Sequence, residues 1–227
     1  IPGNLQHVRA RIATACQRAG RGVEEVTLLA VSKTFGADAV RAAAAAGQRA
    51  FGENYIQEGV EKIAALRDLG LMWHCIGPIQ SNKTRLVAEH FDWVHTVDRL
   101  KIAERLSAQR PADRPPLNVC IQVNIDGGAN KSGVAPGEAL ALARAVAALP
   151  QLKLRGLMSI PEIAPDFEAA RAVHASARAL FDQLNADGLG LDTLSMGMSD
   201  DLEAAIAAGS TMVRIGTAIF GSRAPKP

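Results

Sequence analysis

Leu5, Val8, Ile12 and Ala15 recur at helical spacing among polar and charged positions, which predicts an amphipathic helix over residues 4–19. From Val26 the pattern changes. Residues 26–31 form a short apolar run with no alternation, the signature of a strand buried on both faces. Seven more such runs follow, at 49–52, 72–76, 93–97, 119–125, 154–159, 193–196 and 212–215. Between them the helical period returns, predicting helices over 38–46, 55–66, 81–90, 100–109, 137–148, 167–184 and 200–208. Gly47 and Pro150 act as stops.

Strands that alternate with helices imply a parallel sheet, and eight such units predict a closed (β/α)8 TIM barrel of the α/β class with an extra N-terminal helix. An open doubly wound sheet would carry a glycine-rich phosphate turn after its first strand. That turn here is Ser32-Lys33-Thr34-Phe35-Gly36, which does not match. The 227 residues, 48% of them hydrophobic, supply one core, so a single domain over 1–227 is expected, with 221–227 as a tail.

Charge narrows the partners. The formal net charge is +2 with acids and bases interspersed, which gives no basic stripe for nucleic acid. Cys16, Cys75 and Cys120 show no paired spacing, so neither a zinc site nor a disulfide framework is predicted. No apolar run is long enough to span a bilayer, and a reducing cytoplasm is the expected setting.

In a barrel, chemistry gathers at the C-terminal ends of the strands. Lys33 sits at the end of the first one, where apolar surroundings lower an amine's pKa and free it to attack an aldehyde. The plainer reading of such a residue is a snorkelling lysine. Ser199 follows the seventh strand and is placed to cap the next helix, while Gly216-Thr217 follows the eighth. Amides and hydroxyls at these two sites suit an anion, and a phosphate site there recurs in this fold. An aldehyde for the lysine and a phosphate anchor across the mouth together describe pyridoxal 5'-phosphate.

Several segments in order resemble the pyridoxal phosphate homeostasis proteins, which share the barrel of alanine racemase. They are Ala30-Val31-Ser32-Lys33-Thr34, Phe51-Gly52-Glu53-Asn54-Tyr55, His74-Cys75-Ile76-Gly77-Pro78-Ile79-Gln80-Ser81-Asn82-Lys83, Ser195-Met196-Gly197-Met198-Ser199-Asp200-Asp201 and Val213-Arg214-Ile215-Gly216-Thr217-Ala218-Ile219-Phe220-Gly221. The resemblance implies that Lys33 holds pyridoxal phosphate as an internal aldimine. It implies that Ser199, Gly216 and Thr217 bind the phosphate and that Arg214 lies beside the pyridine nitrogen. A guanidinium accepts no proton and disfavours a pyridinium, so carbanion chemistry would be restrained. A barrel-interior ion pair of Arg214 with Glu53 is the competing reading.

Asn54 is assigned to the cofactor ring or its hydroxyl, against a simple turn role. His74 and Met158 are placed on the cofactor side, each with core packing as its alternative. Lys83 and Lys131 form a basic rim or are merely solvated, and His90 and His95 are structural. The family carries an acidic residue in the loop before Lys-Ser-Gly; the loop here is Asp126-Gly127-Gly128-Ala129-Asn130-Lys131, in which either Asp126 stands in for it or the role is absent.

Alanine racemases pair the cofactor lysine with a tyrosine from a separate C-terminal domain, and the only tyrosine here is Tyr55. The expectation is therefore a binder that buffers and delivers the cofactor, with little turnover. The alternative is a weak racemase or lyase. Expected partners are pyridoxal phosphate, small amines or amino acids and apo enzymes that use the cofactor, with the chain a monomer.

Overall fold

Eight short strands, each followed by a helix, leave no strand edge uncovered only if the sheet closes on itself. It does so. In the computed structural model, which describes residues 1–128 and 132–222, all eight strands are parallel and lie in chain order, with the first paired to the last. They are β1 (Thr27–Val31), β2 (Ala50–Glu53), β3 (Met72–Cys75), β4 (Trp93–Val97), β5 (Leu117–Gln122), β6 (Leu152–Met158), β7 (Thr193–Ser195) and β8 (Met212–Ile215). The helices are α1 (Pro2–Arg18), α2 (Ala37–Ala45), α3 (Ile56–Ala65), α4 (Thr84–His90), α5 (Leu100–Gln109), α6 (Ala139–Ala147), α7 (Phe167–Ala186), α8 (Leu202–Ala208) and α9 (Thr217–Phe220). Among the described residues no helix is long and apolar enough to cross a membrane. Lys131 and residues 223–227 of the expected tail lie outside the described residues.

Successive side chains of a strand face opposite sides, and the packing divides accordingly. Outward residues such as Ala30, Phe51, Val94 and Val119 join the helices in one large apolar cluster. Two smaller clusters fill the barrel interior: Leu29, Val31, Ile76 and Met212, and Trp93, Cys120 and Met158. Between them runs a seam of buried polar side chains, His74, His95, Ser195 and Arg214.

The extra helix α1 starts with Pro2, whose fixed φ suits a first helical turn. Its buried stripe, Leu5, Val8, Ile12, Ala15 and Cys16, follows the predicted spacing. It docks on α8 and α9. Asn4 Nδ2 donates to the Ile219 carbonyl at 3.1 Å, and Arg21 Nη1 donates to the Ile206 carbonyl at 2.8 Å.

The expected boundaries shift where side chains intervene. β5 stops at Gln122 because Asn124 turns the chain, its Oδ1 accepting from the Gly127 amide and its Nδ2 donating to the Gly128 carbonyl. The predicted helix 81–90 splits into a 3-10 turn (Ser81–Lys83) and α4. The helix predicted from residue 200 begins at Leu202, since Asp201 Oδ1 accepts from the Met198 amide at 2.7 Å and holds the segment before it as a turn.

Candidate functional site

The mouth of the barrel opens into a cavity of about 520 Å³. Lys33, Asn54, Ser199, Arg214, Gly216 and Thr217 all line it, joined by Arg11, Phe35 and Ile76. Six of the eight residues picked from sequence therefore meet at one place, at the C-terminal ends of β1, β2, β7 and β8.

The lysine arrives there on a braced turn. Ser32 Oγ donates to Glu53 Oε2 at 2.8 Å, and the Thr34 amide donates to Glu58 Oε1 at 2.7 Å. Lys62 Nζ donates to the Ser32 carbonyl at 2.7 Å and sits 2.8 Å from both Glu53 Oε1 and Glu58 Oε1. Thr34 lies at φ 69°, a conformation that a residue with a Cβ adopts only when its surroundings enforce it. The bracing bonds on either side of Lys33 provide that enforcement. Phe35 then stacks on Phe220 with ring centroids 5.2 Å apart, joining this turn to α9.

Glu53 is thus committed to Lys62 and Ser32 rather than to Arg214, and the competing ion-pair reading of Arg214 falls. Burial raises the Glu53 pKa above the usual carboxylate value, and the hydrogen bonds from Lys62 and Ser32 only partly offset it.

Asn54 is held from behind by Gly77. A Cβ on residue 77 would stand 2.1 Å from the Asn54 carbonyl oxygen, so only glycine permits this approach. The Asn54 side-chain oxygen is buried and has no protein partner. An acceptor left in that state is costly, and a ligand hydroxyl at the mouth would satisfy it.

Across the cavity lie the two turns after β7 and β8. Ser199 does not cap α8 as expected; its Oγ accepts from the Ala218 amide at 3.5 Å and so ties the two turns together. Gly197 makes the first turn possible with φ +103°, where a Cβ would also stand 2.6 Å from that of Ala205. Gly216 and Thr217 open the short helix α9, the position where this fold carries phosphate. Arg11 reaches over from α1: its Nη2 donates to the Ser199 carbonyl at 2.9 Å and pairs with Glu203 Oε1 at 2.7 Å.

Arg214 is almost fully buried. Its Nη1 donates to Ser195 Oγ at 2.7 Å and its Nη2 to the Ser159 carbonyl at 2.9 Å. Burial pushes its pKa down to about 10, which leaves it cationic at neutral pH. The cavity therefore offers an amine, a fixed cation, an unsatisfied acceptor and a hydroxyl-rich pair of turns. These groups fit the aldehyde, ring, hydroxyl and phosphate of pyridoxal phosphate. Among the described residues no cluster of His, Cys, Asp or Glu is placed to hold a metal.

Two expected contacts are corrected. His74 does not line the mouth; it lines a second cavity of about 320 Å³ at the opposite end of the barrel, with Arg155 and Asp192. Its ring stacks on Trp93, 5.0 Å between centroids, because its parity on β3 turns it inward near the strand's middle. Met158 is packed against Trp93 and Cys120 and is fully buried, the interior filler of its alternative reading. Lys83 ends a 3-10 turn and is not among the residues lining the mouth. Asp126 accepts from the Glu162 amide at 2.7 Å, tying the loop after β5 to the one after β6.

Sequence reasoning missed Arg11, Lys62 and Ser195. Arg11 and Lys62 read as solvated positions on amphipathic helices, and nothing in the sequence marks the tertiary partners that draw them in. Strand parity could have turned Ser195 inward.

Comparison with known proteins agrees with this geometry. Residues 3–224 match the family described as alanine racemase, N-terminal domain. The pyridoxal phosphate homeostasis protein of Pseudomonas aeruginosa is 64% identical over 223 residues, covering 98% of this chain and 96% of its own. PipY of Synechococcus elongatus, solved without pyridoxal phosphate, superposes with a TM-score of 0.86 at 40% identity, covering 97% of this chain and all of its own. The form of PipY with pyridoxal phosphate bound gives 0.81 at 39%, covering 92% of this chain and all of its own. The residues, the barrel and the relatives agree: this chain belongs to the pyridoxal phosphate homeostasis protein family.

Proposed function

We propose that this chain binds pyridoxal 5'-phosphate at the barrel mouth and serves its homeostasis, holding and handing on the cofactor rather than turning over a substrate. The observation that carries this reading is the convergence of Lys33 with Ser199, Gly216 and Thr217 around one cavity of about 520 Å³. The names of the relatives and the bound form of PipY support it.

In this reading Lys33 would hold the cofactor through its aldehyde, the group that an amine at this strand end is placed to engage. Ser199 and Thr217 present hydroxyls and Gly216 its backbone to the phosphate. Asn54 Oδ1 would accept from the ring hydroxyl. When bound, pyridoxal phosphate supplies an electrophilic carbon joined to an electron-withdrawing ring. Arg214 would limit that withdrawal, because a guanidinium offers a ring nitrogen a hydrogen bond and no proton. Tyr55, the counterpart in type of the racemase base, stands half exposed at the start of α3 and is not among the residues lining the mouth, where Asp200 is the carboxylate. A small amine or amino acid reaching the mouth would take the place of Lys33 on the cofactor's carbonyl carbon, returning the lysine as a free amine, and the cofactor would leave joined to that amine. The chain works in this reading as a cytoplasmic monomer.

The test is the visible spectrum of wild type and Lys33→Ala, each mixed with pyridoxal phosphate and then treated with borohydride. A band that borohydride bleaches, present in wild type and absent in the variant, is the expected result. No band in wild type refutes the reading. Rapid loss of the α-deuteron from labelled alanine would favour a racemase instead.

A further inference from the structure

The polar seam inside the barrel is continuous. Arg214 Nη1 donates to Ser195 Oγ at 2.7 Å, His95 Nδ1 lies 3.0 Å from the same oxygen, and His95 Nε2 lies 2.9 Å from His74 Nδ1. All four side chains are buried. They connect the cavity at the mouth, lined by Arg214, to the cavity at the far end, lined by His74.

Hydrogen-bond accounting fixes the direction of this chain. A guanidinium only donates, so Ser195 Oγ accepts from Arg214 and its own proton must go elsewhere. His95 Nδ1 is its partner. Burial pushes the His74 pKa down to about 3 and that of His95 well below the usual histidine range, so both rings are neutral and each has one donor and one acceptor. If Ser195 donates to His95 Nδ1, then His95 carries its proton on Nε2 and donates to His74 Nδ1. His74 in turn carries its proton on Nε2. The opposite direction would have Ser195 accept twice and leave a buried hydroxyl proton with no acceptor in the seam, which a dry interior disfavours.

We propose that Ser195 and His95 are positioning residues for Arg214, members of a one-way hydrogen-bonded relay that ends at His74. A barrel interior is ordinarily filled by branched apolar side chains, and four buried polar ones need a reason. The relay supplies it. Ser195 and the Ser159 carbonyl take one N–H from each terminal nitrogen of Arg214, which fixes the plane of the guanidinium and directs its remaining edge to the mouth. The contact thus positioned is the one with the cofactor ring, and this consequence rests on the function proposed above. The direction of the relay does not.

The test uses the full chain with 15N-labelled histidine. Long-range proton–nitrogen spectra at neutral pH are expected to show His74 and His95 neutral and protonated on Nε2. A proton on Nδ1 of His95, or a charged ring, overturns the relay. Ser195→Ala is expected to weaken pyridoxal phosphate binding about tenfold and to move the absorption maximum, with Tm within a few degrees of wild type. Ser195→Thr is expected to restore both. An unmoved maximum and unchanged affinity in Ser195→Ala overturn the positioning role. Should that variant fail to fold, His95→Gln decides, since its amide offers an acceptor and a donor along the same line. It should keep the wild-type band, and a shifted band overturns the proposal. If wild type forms no band, the cofactor reading fails, while the histidine tautomers still uphold or refute the relay.

Discussion

Lys62 is the hinge of the arrangement that presents Lys33, and replacing it with methionine gives a sharp prediction. Its ammonium, 8% exposed, faces the Glu53 carboxylate, 1% exposed, at 2.8 Å. Methionine keeps the unbranched shape and most of the length of the side chain and removes the charge. Glu53 would then be buried with only Ser32 Oγ beside it. Removing one partner of a buried pair costs about 3–5 kcal/mol, far more than an exposed pair's roughly 0–1 kcal/mol. In a domain of this size about 2–4 °C of Tm accompanies each kcal/mol, so Tm should fall by roughly 6–20 °C. The deficit should depend on pH. Burial already raises the Glu53 pKa, and Lys62 is the chief group opposing that rise. Without Lys62 the folded-state value climbs further. A carboxyl with a raised folded pKa favours the folded state as pH falls through that value, since protonation removes the buried charge. The loss should therefore be largest near pH 8 and shrink toward pH 5. Glu53→Leu added to Lys62→Met should recover much of it at pH 8. Thermal unfolding followed by circular dichroism checks all three. A deficit below about 1 kcal/mol, or one that is flat with pH, would refute the reasoning.

Ser199→Ala removes a hydroxyl from the turn facing α9. One charge-assisted hydrogen bond is worth about 1.5–3 kcal/mol, so affinity for pyridoxal phosphate should drop about 10–100-fold while that for pyridoxal, which lacks the phosphate, stays level. Equal losses for both ligands in a spectral titration would take Ser199 out of the phosphate site. Asp201 gives a second pH dependence. Burial raises its pKa, but hydrogen bonds from His174 and the Met198 amide outweigh that and hold it below the usual value. Its stabilising effect is present above the ordinary aspartate pKa of about 3.9 and is lost as pH falls through the lowered one. His174→Phe should make that acid loss begin at higher pH, and superimposable Tm profiles for the two proteins would count against the account.

The barrel was legible because burial on both faces leaves a strong mark: short apolar runs such as Val94 and its neighbours cannot be mistaken for amphipathic strands. That Lys33, Ser199 and Arg214 meet at the mouth was legible because strand ends are where the fold gathers its chemistry. The errors share a cause. His74 and Met158 were placed by residue type within a strand, yet depth along the barrel axis decides which cavity a side chain meets, and one-residue boundaries do not resolve depth. Lys62 stands four residues after Glu58 and looks like half of a surface pair. Its burial depends on Glu53 and the Ser32 carbonyl, which only the folded chain brings to it.

The helix α1 is made before every other described element and cannot dock until its partners exist. Its partners α8 and α9 are the last helices among the described residues, and Arg11 reaches Ser199 across 188 positions of sequence. Until they emerge, Leu5, Val8 and Ile12 have nothing to cover them. Contacts of such separation form slowly, and exposed apolar stripes invite wrong partners. The lysine at the end of β1 has no turns from β7 and β8 opposite it until the same moment. Nascent chains and truncated fragments therefore lack one wall of the pocket, and the cavity is completed only once the last described strands and helices have formed.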